Sequence, residues 1–311
     1  MEAATARLRG RKRREKSYGS EERRLAALLL SPAMIVIALV AAYPIGYAIW
    51  LSLTEYSLQT PGAWRFVGFE NYADAFGSTD FWAAVKNTFI FTFFSVALEL
   101  AIGLAMALAM HEAFRGRGLL RTVVLVPWAV LTVVSAITWR TLFEPELGLA
   151  PQIFDALGIF NGIVWLGQEG YAMAVLILAD VWKTAPFMAL LLLAGLQVIP
   201  DDVYDAAKVD GATTWQRFRR ITLPLLMPAI LVALIFRTLD ALRIFDLPYV
   251  LTGGTNGTET LSTLAHRELT SNQLIGYGSA LSVLTFIIVM AVSFLYIRTV
   301  GGNIRSLAEE D

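Results

Sequence analysis

The stretch "DAAKVDGATTWQRFRRITLP", residues 205–224, separates two long apolar runs. A simple connection between helices needs about 2–8 residues, so this one carries more sequence than a turn requires. Its local signals divide it into two short helices. Pro200, Asp201 and Asp202 open the first, because proline and acids both suit a helix N-terminus. Val203, Ala206 and Ala207 share one face at i, i+3 and i+4. Lys208 falls near the C-terminal end, and Gly211 is placed to end the helix in a left-handed conformation. Thr213-Thr214-Trp215-Gln216 fits a capping box for the second helix. Trp215 and Phe218 repeat at i, i+3, and Arg217, Arg219 and Arg220 occupy its last turn, where cations suit the helix dipole. Pro224 is expected to open the next apolar helix. The loop thus offers a small-residue face (Ala206, Ala207, Ala212), an aromatic face (Trp215, Phe218) and ordered charges such as Asp205 and Asp210. Two readings stay open: packing against the chain's own helices or the lipid interface, and a plug that docks on a partner.

The 311 residues are 56% hydrophobic and only 16% charged, with a net charge of −1. Such an apolar share exceeds that of an ordinary soluble domain, and the near-neutral balance argues against a nucleic-acid partner. There is no cysteine, so neither a disulfide nor a thiolate metal site can form. His111 and His266 are the only histidines, too few for a metal cluster, and no metal is expected. No glycine-rich phosphate loop is present, so the chain is not expected to hydrolyse ATP or to act as an enzyme.

A membrane-spanning helix needs about 20 mostly apolar residues. Six segments qualify: 25–53, 85–110, 119–143, 171–198, 225–250 and 276–298. The fourth and fifth are interrupted by charges. Loop charges orient the set. The tail 1–24 is read as a disordered basic segment ahead of a retained helix and carries nine Lys/Arg. Arg115, Arg117 and Arg121 lie in 111–121, Lys208, Arg217, Arg219 and Arg220 in 199–224, and Arg298 and Arg305 near the C-terminus. On the other side only Arg65, Lys86 and Arg267 appear. This alternation puts both termini, and residues 205–224, in the cytoplasm. Residues 54–84 carry Trp64, Phe66, Phe69, Tyr72, Phe76, Phe81 and Trp82, which suits an interfacial belt or a packed cap. Segment 144–170 is acidic and reads either as an external docking surface or as a solvated loop. The expected organisation is a basic tail (1–24), a six-helix membrane domain (25–300) containing the cytoplasmic loop (200–224), and a short tail (301–311).

Ionisable residues inside a membrane are costly and face a bundle interior or a wet cavity. Glu99, Lys183, Arg237 and Asp240 fall near mid-membrane; Arg140, Asp180, Arg243 and Asp246 fall in the outer half. On the fifth span Arg237, Asp240, Arg243 and Asp246 recur every third residue with alternating sign, so neighbours can pair. One reading is an ion-pair ladder that stitches helices together. A second is a polar wall of a translocation path, with Trp128, Trp139, Trp182 and Phe236 as aromatic companions; for those rings, packing is the competing reading. A third is a proton or ion relay of a stand-alone carrier, which lacks support from any clear internal repeat. Pro127 and Pro186 lie inside spans three and four and can kink them.

Residues 205–224 resemble the E-A-A-x-x-x-G-x₉-I-x-L-P signature of membrane subunits of ATP-binding-cassette importers, read here as Asp205-Ala206-Ala207, Gly211, Ile221 and Leu223-Pro224. "YPIGYAIWLSLTEYSL" (43–58), "FVGFENYADAF" (66–76), "VWKTAPFMALLLLAGL" (181–196) and "LIFRTLDALRIFDLPYVLTGG" (234–254) are similar to the carbohydrate branch of that family. The resemblance covers nearly the whole chain after the basic tail. It implies an all-α integral membrane permease of the type I importer fold in the bacterial cytoplasmic membrane. It implies a second permease subunit, an ATPase dimer docked at the cytoplasmic loop with ATP and Mg bound to it, and an extracytoplasmic sugar-binding protein. No cofactor is expected in this chain. The implied substrate is a disaccharide such as trehalose, with maltose-type oligosaccharides or glycerol 3-phosphate as alternatives. It assigns coupling to Asp205, Ala206, Ala207, Asp210, Gly211, Ala212, Trp215 and Phe218. The candidate translocation residues are Glu99, Trp139, Asp180, Lys183, Phe236, Arg237, Asp240 and Arg243. Where the family usually has Glu, this chain has Asp205, which keeps the charge and shortens the reach.

Overall fold

A computed structural model describes residues 23–308 apart from 61, 63, 113–115 and 161. Most of the basic tail and Arg115 therefore lie outside the described residues. Contacts divide the chain into Met1–Leu51 and Ser52–Asp311. The helix α1 (Arg23–Ser52) is predominantly apolar after Arg23 and Arg24, with a mean hydropathy of 2.6 over its best window. Within it, Ala38–Ala42 form a π turn in which the Tyr43 N–H reaches the Ala38 carbonyl. Pro44 follows, and the wider turn relieves the clash and missing N–H that proline would impose on an α-helix.

In the second unit a hairpin pairs β1 (Thr54–Tyr56) with β2 (Trp64–Phe66), Glu55 opposite Arg65. The short helix α2 (Glu70–Gly77) anchors it, Asn71 donating to the Ser52 and Thr54 carbonyls at 2.8 and 2.9 Å. The long helix α3 (Thr79–His111) follows. Next come α4 (Arg117–Ala129) and α5 (Thr132–Leu142), bent by 88° at Val130 and Leu131. The expected continuous span 119–143 is thus broken. Pro127 sits one turn before the break, and Val130 and Leu131 take extended backbone there. The segment 144–170 contains α6 (Leu149–Ala156) and an aromatic cluster around buried Trp165, with Phe143, Phe154, Phe160 and Tyr171 against it. Around that cluster most of the segment is exposed, Leu147, Leu149 and Leu157 among it.

Helix α7 (Tyr171–Leu196) is unbroken despite Pro186. The cytoplasmic-motif segment supplies α8 (Asp201–Val209) and then α9 (Thr214–Ala241). Pro224 sits in the first turn of the α-helical stretch Leu223–Ala241, as expected, and a π turn over Phe218–Thr222, with the Leu223 N–H on the Phe218 carbonyl, joins that stretch to the short helix before it. The structure corrects the far end: the span stops at Ala241 rather than 250, and α10 (Asp246–Thr252) is a separate short helix. Leu261–His266 (α11), a π turn at Arg267–Ser271 and α12 (Ile275–Ala308) complete the fold, so helix continues through most of the expected 301–311 tail. Among the described residues five helices are long and apolar enough to span, and six if the bent pair counts as one.

Two apolar cores hold α3, α7 and α9. One gathers Phe91, Val96, Leu176, Val181 and Ala185; the other gathers Met110, Met188, Leu192, Leu226 and Ile230. Small residues let these helices approach closely: a Cβ on Gly103 would lie 2.8 Å from Met188 Cγ, and one on Gly195 would meet the Ala229 methyl. Arg267 clamps three segments, pairing with Asp80 (2.9 Å), Glu259 (2.9 Å) and Glu268 (3.2 Å). Burial raises the Glu259 carboxyl above its ordinary value of 4.5, with Arg267 opposing and Asp80 and Glu268 reinforcing the shift.

Gly195→Leu is expected to overpack α7 against α9 and lower stability by about 1–3 kcal/mol, visible as a drop in the thermal transition of the detergent-solubilised protein. Because the Glu259 pKa is raised on folding, folded protein binds the extra proton. Its contribution is full below pH 4.5 and is lost as pH rises through the raised value. Thermal unfolding across that window should show stability falling, and Glu259→Gln should flatten that part of the curve.

Candidate functional site

The cytoplasmic-motif loop is built by its own caps. At the end of α8, Asp210 N–H reaches the Ala206 carbonyl, Gly211 N–H reaches Lys208 and Ala212 N–H reaches Ala207. This is a Schellman closure, and it requires the left-handed backbone that Gly211 adopts at φ +77°. At the start of α9, Thr213 Oγ1 accepts from the Gln216 N–H and Gln216 Oε1 accepts from the Thr213 N–H, the capping box read from the sequence. Tyr204 OH lies 3.1 Å from Thr222 Oγ1, tying α8 to the π turn of α9. Both short helices are therefore fixed to one long membrane helix.

Ala207 is buried against the chain, whereas Ala206 and Asp205 are exposed. Trp215 is 66% exposed and stacks on Phe218, ring centroids 5.5 Å apart. Asp205 binds Lys208 at 2.7 Å within the loop. The small-residue face is thus split: one alanine packs inward, and an acid, an alanine and an aromatic ring remain on the surface.

The intramembrane residues form a second constellation. Arg237 on α9 is 2% exposed and donates from Nε and Nη2 to the two Glu99 carboxylate oxygens of α3 at 2.5 and 2.7 Å. It also donates to Asp180 of α7 and to Asp240 of its own helix, both at 2.8 Å. Thr184 Oγ1 sits 2.6 Å from both Glu99 Oε1 and the Asp180 carbonyl. Glu99 and Asp180 are as buried as Arg237. These three pair with one another inside the chain, as the ion-pair reading had it, instead of facing outward. Arg237 uses Nε, Nη1 and Nη2 on these acids, and such charge-assisted bonds offset part of the cost of burying them.

Asp240 differs: its side chain is 60% exposed and also faces Arg243 at 3.6 Å. The expected four-residue ladder runs from Arg237 through Asp240 to Arg243 and stops short of Asp246, which heads α10. Phe236 is exposed on the α9 face that carries Asp240, Lys183 is half-buried, and Trp139 packs on Phe143 and Trp182. Trp128 stacks on Phe187. The exposed face of α9 begins apolar, with Leu225 and Val232, and becomes polar at Asp240.

A family model described as the inner membrane component of binding-protein-dependent transport systems matches residues 99–300. The chain belongs to this family. Among its relatives, the trehalose transport system permease protein SugA of Mycobacterium tuberculosis is 44% identical over 90% of each chain. The trehalose/maltose transport system permease protein MalF of Thermococcus litoralis is 44% identical over 89% of this chain and 94% of its own. The sulfoquinovosyl glycerol transport system permease protein SmoG of Agrobacterium fabrum is 41% identical over 90% and 91%. A chain from a crystal structure of a bacterial alginate ABC transporter, in complex with its alginate pentasaccharide-bound periplasmic protein, superimposes with a TM-score of 0.77. It is 24% identical over 88% of this chain and 93% of its own, which establishes the shared fold. This inner membrane component is thus a multi-pass membrane protein of the type I ABC permease fold, a transport component.

Sequence reasoning missed Thr184, Tyr204 and the Arg267 clamp. Each left a signal: Thr184 lies four residues after Asp180, Tyr204 faces the loop's own helix, and Arg267 is the single cation of 251–275. Gly211→Val forces a β-branched residue into the left-handed region at a cost of about 1–2 kcal/mol. Amide exchange across 205–216 should then rise in the variant, while exchange in α7 stays unchanged.

Proposed function

We propose that this inner membrane component is a permease subunit of an ATP-driven, binding-protein-dependent sugar importer, with a disaccharide such as trehalose as substrate. The observation that carries the reading is the doubly capped, exposed loop continuous with a membrane helix. A surface lever of this kind has a use only where a partner pushes on it. The substrates that name the 44%-identical relatives support trehalose or maltose; glycerol 3-phosphate is the remoter alternative. The partners in this reading are a second, similar permease, an ATPase dimer in the cytoplasm that binds ATP and Mg, and an external sugar-binding protein. Both termini are cytoplasmic. The dense positive charge of the termini and of residues 199–224 supports that orientation.

In the mechanism, the ATPases close on ATP and draw the loops of two permeases together. Asp205, Ala206, Asp210, Gly211, Ala212, Trp215 and Phe218 meet the ATPase surface, while Ala207 holds the loop to its own chain. Asp205 exchanges its internal Lys208 partner for a basic group on the ATPase. The exposed polar face of α9, with Phe236, Asp240 and Arg243, lines the path together with Lys183 and Trp139. An exposed charge in the membrane zone must face water or a second subunit. Glu99 and Asp180 share the one guanidinium of Arg237, and it is the family and the 44%-identical relatives that argue against a stand-alone ion-coupled carrier.

The complex purified with its partners should hydrolyse ATP faster with trehalose and its binding protein, in a panel including maltose and glycerol 3-phosphate. Indifference to every sugar would contradict the reading. Asp205→Ala should lower sugar-stimulated hydrolysis by roughly tenfold, the scale of losing one charge-assisted contact of about 1.5–3 kcal/mol. Normal transport by that variant would remove Asp205 from the docking surface.

A further inference from the structure

Arg237 occupies the place where the loop's helix is joined to the rest of the bundle. From Arg217 to Arg237, α9 is continuous over roughly 30 Å at about 1.5 Å per residue. On the cytoplasmic side of Arg237, α3, α7 and α9 touch through apolar and small side chains such as Ala107, Met188, Leu192, Leu226 and Ile230. Apolar contact is non-directional and by itself does not fix the axial register of one helix against another. The guanidinium does. Two parallel bonds to Glu99 and one to Asp180 set a single register, and a slip of one turn would strand three buried charges. Immediately beyond, the regular helix ends: α9 stops at Ala241 and gives way to α10, and α10 packs on α5 past the 88° break.

We propose that Arg237, Glu99 and Asp180 are positioning residues of the transport cycle. They lock α3 and α7 to the helix that carries the loop, so that a displacement of the loop moves three helices as one body. The motion is then taken up at the α9–α10 turn and at the α4–α5 break. Thr184 holds the Glu99 carboxylate at its Arg237-facing angle, and Asp240 extends the network to the exposed face of α9. This inference rests on the importer reading above, since it needs a partner that displaces the loop.

The test uses the whole transporter, purified with its partners and reconstituted in vesicles, and measures both thermal stability and sugar taken up per ATP hydrolysed. Arg237→Met alone leaves two carboxylates buried without a partner and is expected to assemble poorly. The triple variant Arg237→Met, Glu99→Leu, Asp180→Leu removes the charges together, a replacement that buried ion triads tolerate without loss of stability. We expect it to match the unmodified transporter in thermal stability while uptake per ATP falls roughly tenfold, within the range of coupling between linked sites. Arg237→Lys, which keeps the charge but loses the two-pronged geometry, should fall severalfold in the same ratio. Unmodified uptake per ATP in either the triple variant or Arg237→Lys would overturn the proposal and leave the cluster a matter of stability. Failure of the unmodified complex to couple any sugar to ATP hydrolysis would overturn the importer reading instead.

Discussion

A guanidinium buried in the membrane zone is the constraint on which the bundle depends. Arg237 reaches Glu99 on α3 and Asp180 on α7 from α9, and each of these groups is almost fully out of solvent. Moving any one of them alone into a low-dielectric interior costs several kcal/mol. The three helices therefore meet at one height and one rotation, where both buried carboxylates reach the one guanidinium. The apolar cores on either side fill space around that point, and Gly103 and Gly195 permit the close approach it demands.

The same helix joins this point to the cytoplasmic loop. Proline at position 224 would ordinarily end or kink it. The π turn over Phe218–Thr222 instead satisfies the backbone with a wider repeat, and α1 does the same ahead of Pro44. Gly211 and the Thr213–Gln216 capping box close the two short helices, and Tyr204 pins one to the other through Thr222. The result is one continuous helix from exposed Trp215 to buried Arg237. The chain belongs to the inner membrane component family of binding-protein-dependent transport systems, and in the proposed importer that helix acts as the lever.

Much of this was legible in the chain. Caps are local, so Gly211 and the Thr213 box could be read residue by residue. The apolar runs set the long helices for the same reason. What depended on distant partners could not be read. Arg237 and Asp240 share a helix, and their pairing followed from spacing alone. Glu99 lies 138 residues away from Arg237, and nothing in its neighbourhood names that partner. The same holds for the 88° break after Pro127: proline made a kink expected, but Pro186 in α7 bends nothing that ends its helix. Tertiary packing decides between the two. The even ladder held for Arg237–Asp240 and Asp240–Arg243, and only Asp246 fell outside it, because regular spacing assumes a helix that in fact stops at Ala241.

Whether α3 and α9 move as one body is open to a direct distance measurement. Spin labels at Phe93 on α3 and Leu225 on α9, both exposed, sit on the two helices that Arg237 joins. Pulsed electron–electron resonance on the reconstituted transporter should give the same distance distribution at rest and with ATP trapped on its partners. A label at Val209 and one at the matching loop position of the second permease should meanwhile draw closer. A shift in the Phe93–Leu225 distribution on ATP binding would show α9 sliding past α3 and would contradict the account.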